Sequence, residues 1–129
     1  AVGDFEFSKK QLELLKDKAD IYSGNDNQTY DFVINGGVGV VSVASHVVGD
    51  EISEMISFAK DNDLEKAEEI NMQLSNLFEA IFEEPSPGPI KKILSESWEE
   101  VGEPLLPITS ITPELANKIR GFYKKIKEN

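Results

Sequence analysis

The chain has 129 residues, 40% of them hydrophobic and 29% charged, the balance of a folded domain rather than of a disordered segment. Its net charge of −11 repels polyanions and argues against nucleic acid as a partner, and no apolar run approaches the ~20 residues of a membrane-crossing helix. With no cysteine, disulfides, thiolate metal sites and cysteine nucleophiles are excluded, and the lack of a secretory leader leads to the expectation of a cytoplasmic protein.

The first predicted helix follows Gly3-Asp4; Ser8 with Gln11 fits a capping box, and Leu12 and Leu15 supply its apolar face. Ile21-Tyr22-Ser23 reads as a short strand that ends in the polar loop Gly24-Asn25-Asp26-Asn27. A helix is expected over 28–35, closed by Gly36-Gly37, which tolerate the left-handed conformation that ends helices. Gly39-Val40-Val41-Ser42-Val43-Ala44 then reads as a strand buried on both faces, as in parallel sheets covered by helices. Strand, helix and strand in this order form a β/α unit of an α/β fold.

From residue 50 onward the periodicity is helical. Asp50 is expected to cap a helix carrying Ile52, Met55, Ile56 and Ala59, broken at Asn62-Asp63. A longer helix is expected over 64–83, with Leu64, Ala67, Ile70, Leu74, Leu77, Phe78 and Ile81 at helical spacing. Three prolines make Glu84-Pro85-Ser86-Pro87-Gly88-Pro89 a rigid turn, because proline fixes φ and removes a donor. The next helix starts at Pro89 and is expected to face Ile90, Ile93, Leu94 and Trp98 inward. Thr112-Pro113-Glu114 announces the last helix, which buries Leu115, Ile119, Phe122 and Ile126. The basic residues Lys118, Arg120, Lys124, Lys125 and Lys127 gather there, as suits the negative end of a helix dipole.

Two strands do not make an independent sheet core, so the β segments require neighbours. Three motifs say which. Tyr22-Ser23-Gly24-Asn25-Asp26, Gly36-Gly37-Val38-Gly39-Val40-Val41-Ser42-Val43-Ala44-Ser45 and Phe82-Glu83-Glu84-Pro85-Ser86-Pro87-Gly88-Pro89-Ile90-Lys91 resemble, in order and spacing, the dihydrodipicolinate synthase/N-acetylneuraminate lyase family. The Gly39-Val40-Val41-Ser42-Val43 wording is closer to the synthases than to the lyases, and Pro104-Leu105-Leu106-Pro107-Ile108 is similar to a late family segment without its arginine. Gly88 departs from the pattern, standing between the prolines where an apolar residue is commoner.

The resemblance implies an α/β fold class: the last two β/α units of a TIM barrel over 1–63, then a helical C-terminal domain over 64–129, mostly α by content. It also implies a pyruvate-dependent class I aldolase, a lyase in which a lysine holds pyruvate as a Schiff base and the imine acts as electron sink. The parent reaction so implied condenses pyruvate with aspartate semialdehyde in lysine biosynthesis, with no cofactor and no metal. Ala1-Val2-Gly3 match the end of the family's lysine motif, which puts that lysine before Ala1; no catalytic residue is expected in the chain, and the chain alone is expected to be inactive. The substrate-binding residues left to it are Gly24, near the aldehyde-side pocket, and Val41, whose carbonyl would face the reacting centre. The implied partners are pyruvate in the complete enzyme and the rest of the barrel or a second copy of the chain, in a homo-oligomer.

Lys9, Lys10 or Lys16 as replacement nucleophiles would need desolvation, which a solvent-facing helix does not offer. His46 could serve as base or ligand, but it is the only histidine, and a structural role fits it better. Gly37, Gly39 and Ser42 precede a strand rather than open a helix, unlike a dinucleotide loop. Asp61, Asn62, Asp63 and Glu65 lack the loop glycine of a calcium site. Asn27-Gln28-Thr29 is a glycosylation sequon. The competing functional reading is a non-enzymatic helical module that associates with itself or with another chain.

Overall fold

In the computed structural model, residues 3–15 and 18–128 are described. Helix α1 spans Phe5–Leu15. Its cap is Asp4 rather than Ser8: Asp4 Oδ1 accepts from Glu6 N at 3.0 Å and Phe7 N at 3.4 Å, while Ser8 lies inside the helix and donates back to the Asp4 carbonyl at 3.3 Å. Aspartate is as good a cap as serine and comes first in the chain, so the helix begins one turn earlier than the capping box indicates.

Strand β1, Tyr22–Ser23, pairs in parallel with β2, Gly39–Val40, in the register Tyr22 to Gly39 and Ser23 to Val40. A 3-10 turn over Asp26–Gln28 and helix α2, Thr29–Ile34, form the crossover, and α2 packs on both strands. Gly36 ends this helix at φ +100°. Gly37 has a different reason to be glycine: a Cβ there would stand 2.4 Å from Phe32 Cδ1 and 2.9 Å from the Phe32 carbonyl oxygen. The strand expected through Ala44 stops at Val40, and Val41 is 74% exposed instead of buried on both faces. Apolar β-type sequence becomes a strand only where a partner backbone exists, and among the described residues β1 and β2 pair only with each other.

Helix α3 spans Ser45–Lys60 with non-helical angles at Val48 (φ −130°, ψ 37°), so its regular part starts after Val48 and Asp50 lies within the first turn rather than capping it. Asn62, at φ 62°, carries the chain into α4, Leu64–Ala80, which ends three residues before the expected 83. Helices α5, Gly88–Ser97, and α6, Pro113–Lys127, pack on each other. Trp98 is 72% exposed although its spacing points inward. Its backbone has left helical angles (φ −131°, ψ −86°), and a side chain past the end of the helix no longer follows the apolar stripe.

The chain forms two compact units, Ala1–Val43 with Asp50–Met72, and Ala44–Gly49 with Gln73–Asn129. The first buries Leu12, Phe32, Val33, Ile52, Met55, Ala59 and Ala67, and the second buries Leu74, Leu77, Phe78, Ile81, Ile90, Ile93, Leu115, Ile119 and Ile126. In the second, the proline-rich turn is fastened to the start of α6. Glu84 accepts from Thr112 N at 3.2 and 3.3 Å and from Thr112 Oγ1 at 2.5 Å, and Thr112 Oγ1 in turn accepts from Leu115 N at 3.4 Å. Gly88 is explained here too, since a Cβ would meet Ile111 Cγ2 at 2.9 Å. The Ser86–Pro87 and Leu106–Pro107 bonds are cis.

Candidate site at the ends of the parallel strands

Gly24 directly follows β1 and Val41 directly follows β2, so a parallel pairing puts both at the same end of the sheet. Val41 N donates to the Ser23 carbonyl at 2.8 Å, which brings the residue before Gly24 into contact with Val41 itself. Both named residues are exposed. The carboxyl ends of parallel strands are where open α/β sheets and barrels gather ligands.

Polar side chains shape the loop after β1. Ser23 is buried, and its Oγ donates to the Asn25 carbonyl at 2.9 Å and accepts from Asn25 N at 3.2 Å. The same carbonyl accepts from the buried Thr29 hydroxyl at 3.3 Å and from Gln28 N at 3.3 Å. Asn25 Nδ2 reaches Gln28 Oε1 at 3.2 Å, and Gln28 Nε2 reaches the Gly3 carbonyl at 3.2 Å. Asp26 is 2% exposed. Its Oδ1 accepts from the Ser42 hydroxyl, and its Oδ2 accepts from Val43 N at 3.2 Å.

Composition and spacing assign no role to Ser23, Asp26 or Ser42. The signal was present: a lone serine inside the apolar run from Val38 to Ala44, and an aspartate beside a strand end, both need partners when buried. Sequence alone does not say that the two partners are each other.

The remaining candidates stay apart from this cluster. Lys9 and Lys10 are exposed on α1, so nothing desolvates them; Lys16 falls outside the described residues. His46 is exposed and lines an open cleft of about 430 Å³ with Val47, Leu94, Ser97, Trp98 and Tyr123. Among the described residues no group of His, Asp and Glu is placed to hold a metal ion, and no helix is long and apolar enough to cross a membrane. Asp63 is bound by the Lys66 ammonium at 2.7 Å, which holds its carboxyl below the usual range. Partial burial, then Glu68 and Asp31, pushes the Tyr30 phenol up and away from work as a base. In the sequon Asn27 is exposed, while the Thr29 side chain is fully buried.

Known proteins match this arrangement over nearly its whole length. The sequence model of the dihydrodipicolinate synthetase family matches residues 1–126. The 4-hydroxy-tetrahydrodipicolinate synthase of Listeria monocytogenes serotype 4a is 32% identical over 126 residues, covering 98% of this chain and 43% of its own. That of Microcystis aeruginosa is 48% identical over 106 residues, 82% of this chain and 36% of its own. The crystal structure of the synthase from Cyanidioschyzon merolae with lysine bound superposes on 98% of this chain and 43% of its own, with 34% identity and a TM-score of 0.91. The Thermotoga maritima synthase gives a TM-score of 0.92 at 26% identity, over 98% of this chain and 44% of its own. These neighbours are barrel enzymes, and the chain spans about 43% of the length of the Listeria relative.

Proposed function

This chain belongs to the dihydrodipicolinate synthetase family, and on that premise we propose that it is the part of a pyruvate-dependent Schiff-base aldolase, 4-hydroxy-tetrahydrodipicolinate synthase, that closes the barrel and carries its helical appendage. Residues 1–63 are then the last two β/α units, and residues 64–129 the C-terminal helical domain. The carrying observation is the match over residues 1–126 together with the parallel strands that bring Gly24 and Val41 side by side. Exposure of Tyr22 at 55% and Val41 at 74% supports further strands or substrate against this sheet.

In this reading a lysine amine condenses with the keto group of pyruvate, water leaves, and the protonated imine draws electrons from the adjacent methyl carbon. Loss of a proton there gives an enamine, whose carbon attacks the aldehyde of aspartate semialdehyde. Gly24 walls the aldehyde side, and the Val41 carbonyl faces the reacting carbon. The amine comes from outside these 129 residues, and the chain by itself makes no imine. Nothing in the match favours a non-enzymatic helical module. The same reading has the protein act in the cytoplasm within a homo-oligomer.

Borohydride reduction with labelled pyruvate tests it. The 129 residues alone are expected to stay unlabelled. Joined to the preceding portion of the Microcystis aeruginosa synthase, they are expected to yield an enzyme labelled on a lysine of that portion. A covalent adduct on the isolated chain would overturn the assignment.

A further inference from the structure

We propose that Asp26 is the positioning residue of this site: its carboxylate ties the loop after β1 to the segment after β2 and so sets where Gly24 and Val41 stand. The proposal rests on the aldolase reading. At 2% exposure the Asp26 side chain is withdrawn from any substrate, so its effect passes through the residues it holds. Those residues are Ser42 and Val43, the two that directly follow Val41. The bond from Val41 N to Ser23 fixes one side of Val41. Its carbonyl belongs to the Val41–Ser42 peptide, which lies between that bond and the Ser42 hydroxyl and Val43 N–H that Asp26 holds.

The base of the clamp is itself held. Asp26 follows Asn25, whose carbonyl accepts from Ser23 Oγ, Thr29 Oγ1 and Gln28 N. A carboxylate is the suitable group because both its neighbours donate: an ionised oxygen makes a shorter and stronger bond to a hydroxyl or an amide than a neutral one does. Among the described residues β1 and β2 pair over two residues each, and the Asp26 cross-link ties the two loops beyond the end of that ladder.

Asparagine separates positioning from folding. Its amide oxygen can keep the Val43 N–H, while its NH₂ can face Ser42, whose hydroxyl rotates to accept. The shape is retained and the tie is weakened. In the joined enzyme described above, Asp26→Asn is expected to trap pyruvate as fully as the parent while turnover falls about tenfold, since a misplacement near 1 Å costs up to ~100-fold. Ser42→Ala is expected to lower turnover in the same way, and Ser42→Thr, which keeps the hydroxyl, to restore it. In the joined enzyme, Asp26→Ala is expected to speed hydrogen exchange at Val43 N and to leave Val38 N, bonded to the Ile21 carbonyl at 2.9 Å, protected.

Turnover within twofold of the parent in both Asp26→Asn and Ser42→Ala overturns the proposal. So does loss of trapping and turnover together in Asp26→Asn, the mark of a collapsed site. Failure of the unsubstituted enzyme to trap pyruvate is seen before any substitution is made; it defeats the aldolase reading, and this proposal with it.

Discussion

The two compact units are stabilised in different ways. Ser8, Ser23, Asp26 and Thr29, the buried polar residues among those described, all belong to the unit that contains the strands. The helical unit buries apolar side chains and keeps its charged contacts at the surface, as in the pairs Arg120 with Glu96 and Lys118 with Glu83. A buried polar group costs stability unless its partners are all in place, so it brings geometric definition more than free energy. The strand unit is ordered by buried polar contacts, and the helical unit by buried apolar ones.

Substitutions can break or sharpen this contrast. The largest effect is expected in the helical unit: Leu77→Ala removes a fully buried side chain from α4 and should lower stability in urea by about 2–5 kcal/mol. A cost under about 1 kcal/mol would mean that this core is loosely packed and that the contrast is wrong. Asp26→Ala comes next. It leaves the Ser42 hydroxyl and the Val43 amide without this acceptor and should cost about 1–3 kcal/mol.

Thr112→Ala removes the cap of α6 and the grip of Glu84 on it, with an expected loss of about 1 kcal/mol and a shift in thermal midpoint to match. The smallest effect belongs to the surface pair. Arg120 grips Glu96 with Nε at 2.8 Å and a terminal nitrogen at 2.6 Å. Both side chains are part-exposed, at 38% and 29%, and solvent screening limits their coupling in a double-mutant cycle to about 1 kcal/mol or less.

That pair also carries a pH dependence. The hydrogen bonds from Arg120, then those from Lys92, hold the Glu96 carboxyl below the usual glutamate range despite its partial burial. A carboxyl lowered by folding contributes its stability above the unfolded glutamate pKa and loses it as the pH falls through the lower folded value. Glu96→Gln should therefore flatten the acid limb of the stability curve slightly and change nothing at neutral pH beyond the loss of the pair. High salt should shrink the same difference.

Legibility in the sequence followed the range of the interactions. The apolar spacing of α4 and α6 correctly places Leu74, Leu77, Phe78, Leu115, Ile119 and Ile126 in the interior, and Thr112-Pro113 correctly marks the start of α6. These are local matters, decided within a few turns by helical period and capping chemistry. Motif resemblance points to Gly24 and Val41, and the pairing of β1 with β2 brings their segments together. The first unit was less readable, because the extent of β2 and the exposure of Val41 depend on which backbone lies opposite.

The amino-acid sequence by itself determined the family, the helical periods and the turn chemistry, since each is written in residues close along the chain. Tertiary structure alone decided that Asp26 meets Ser42 and Val43, residues 16 and 17 positions away. The physical reason is that a buried carboxylate only requires donors; which donors it finds is settled when a parallel crossover folds two distant loops against each other.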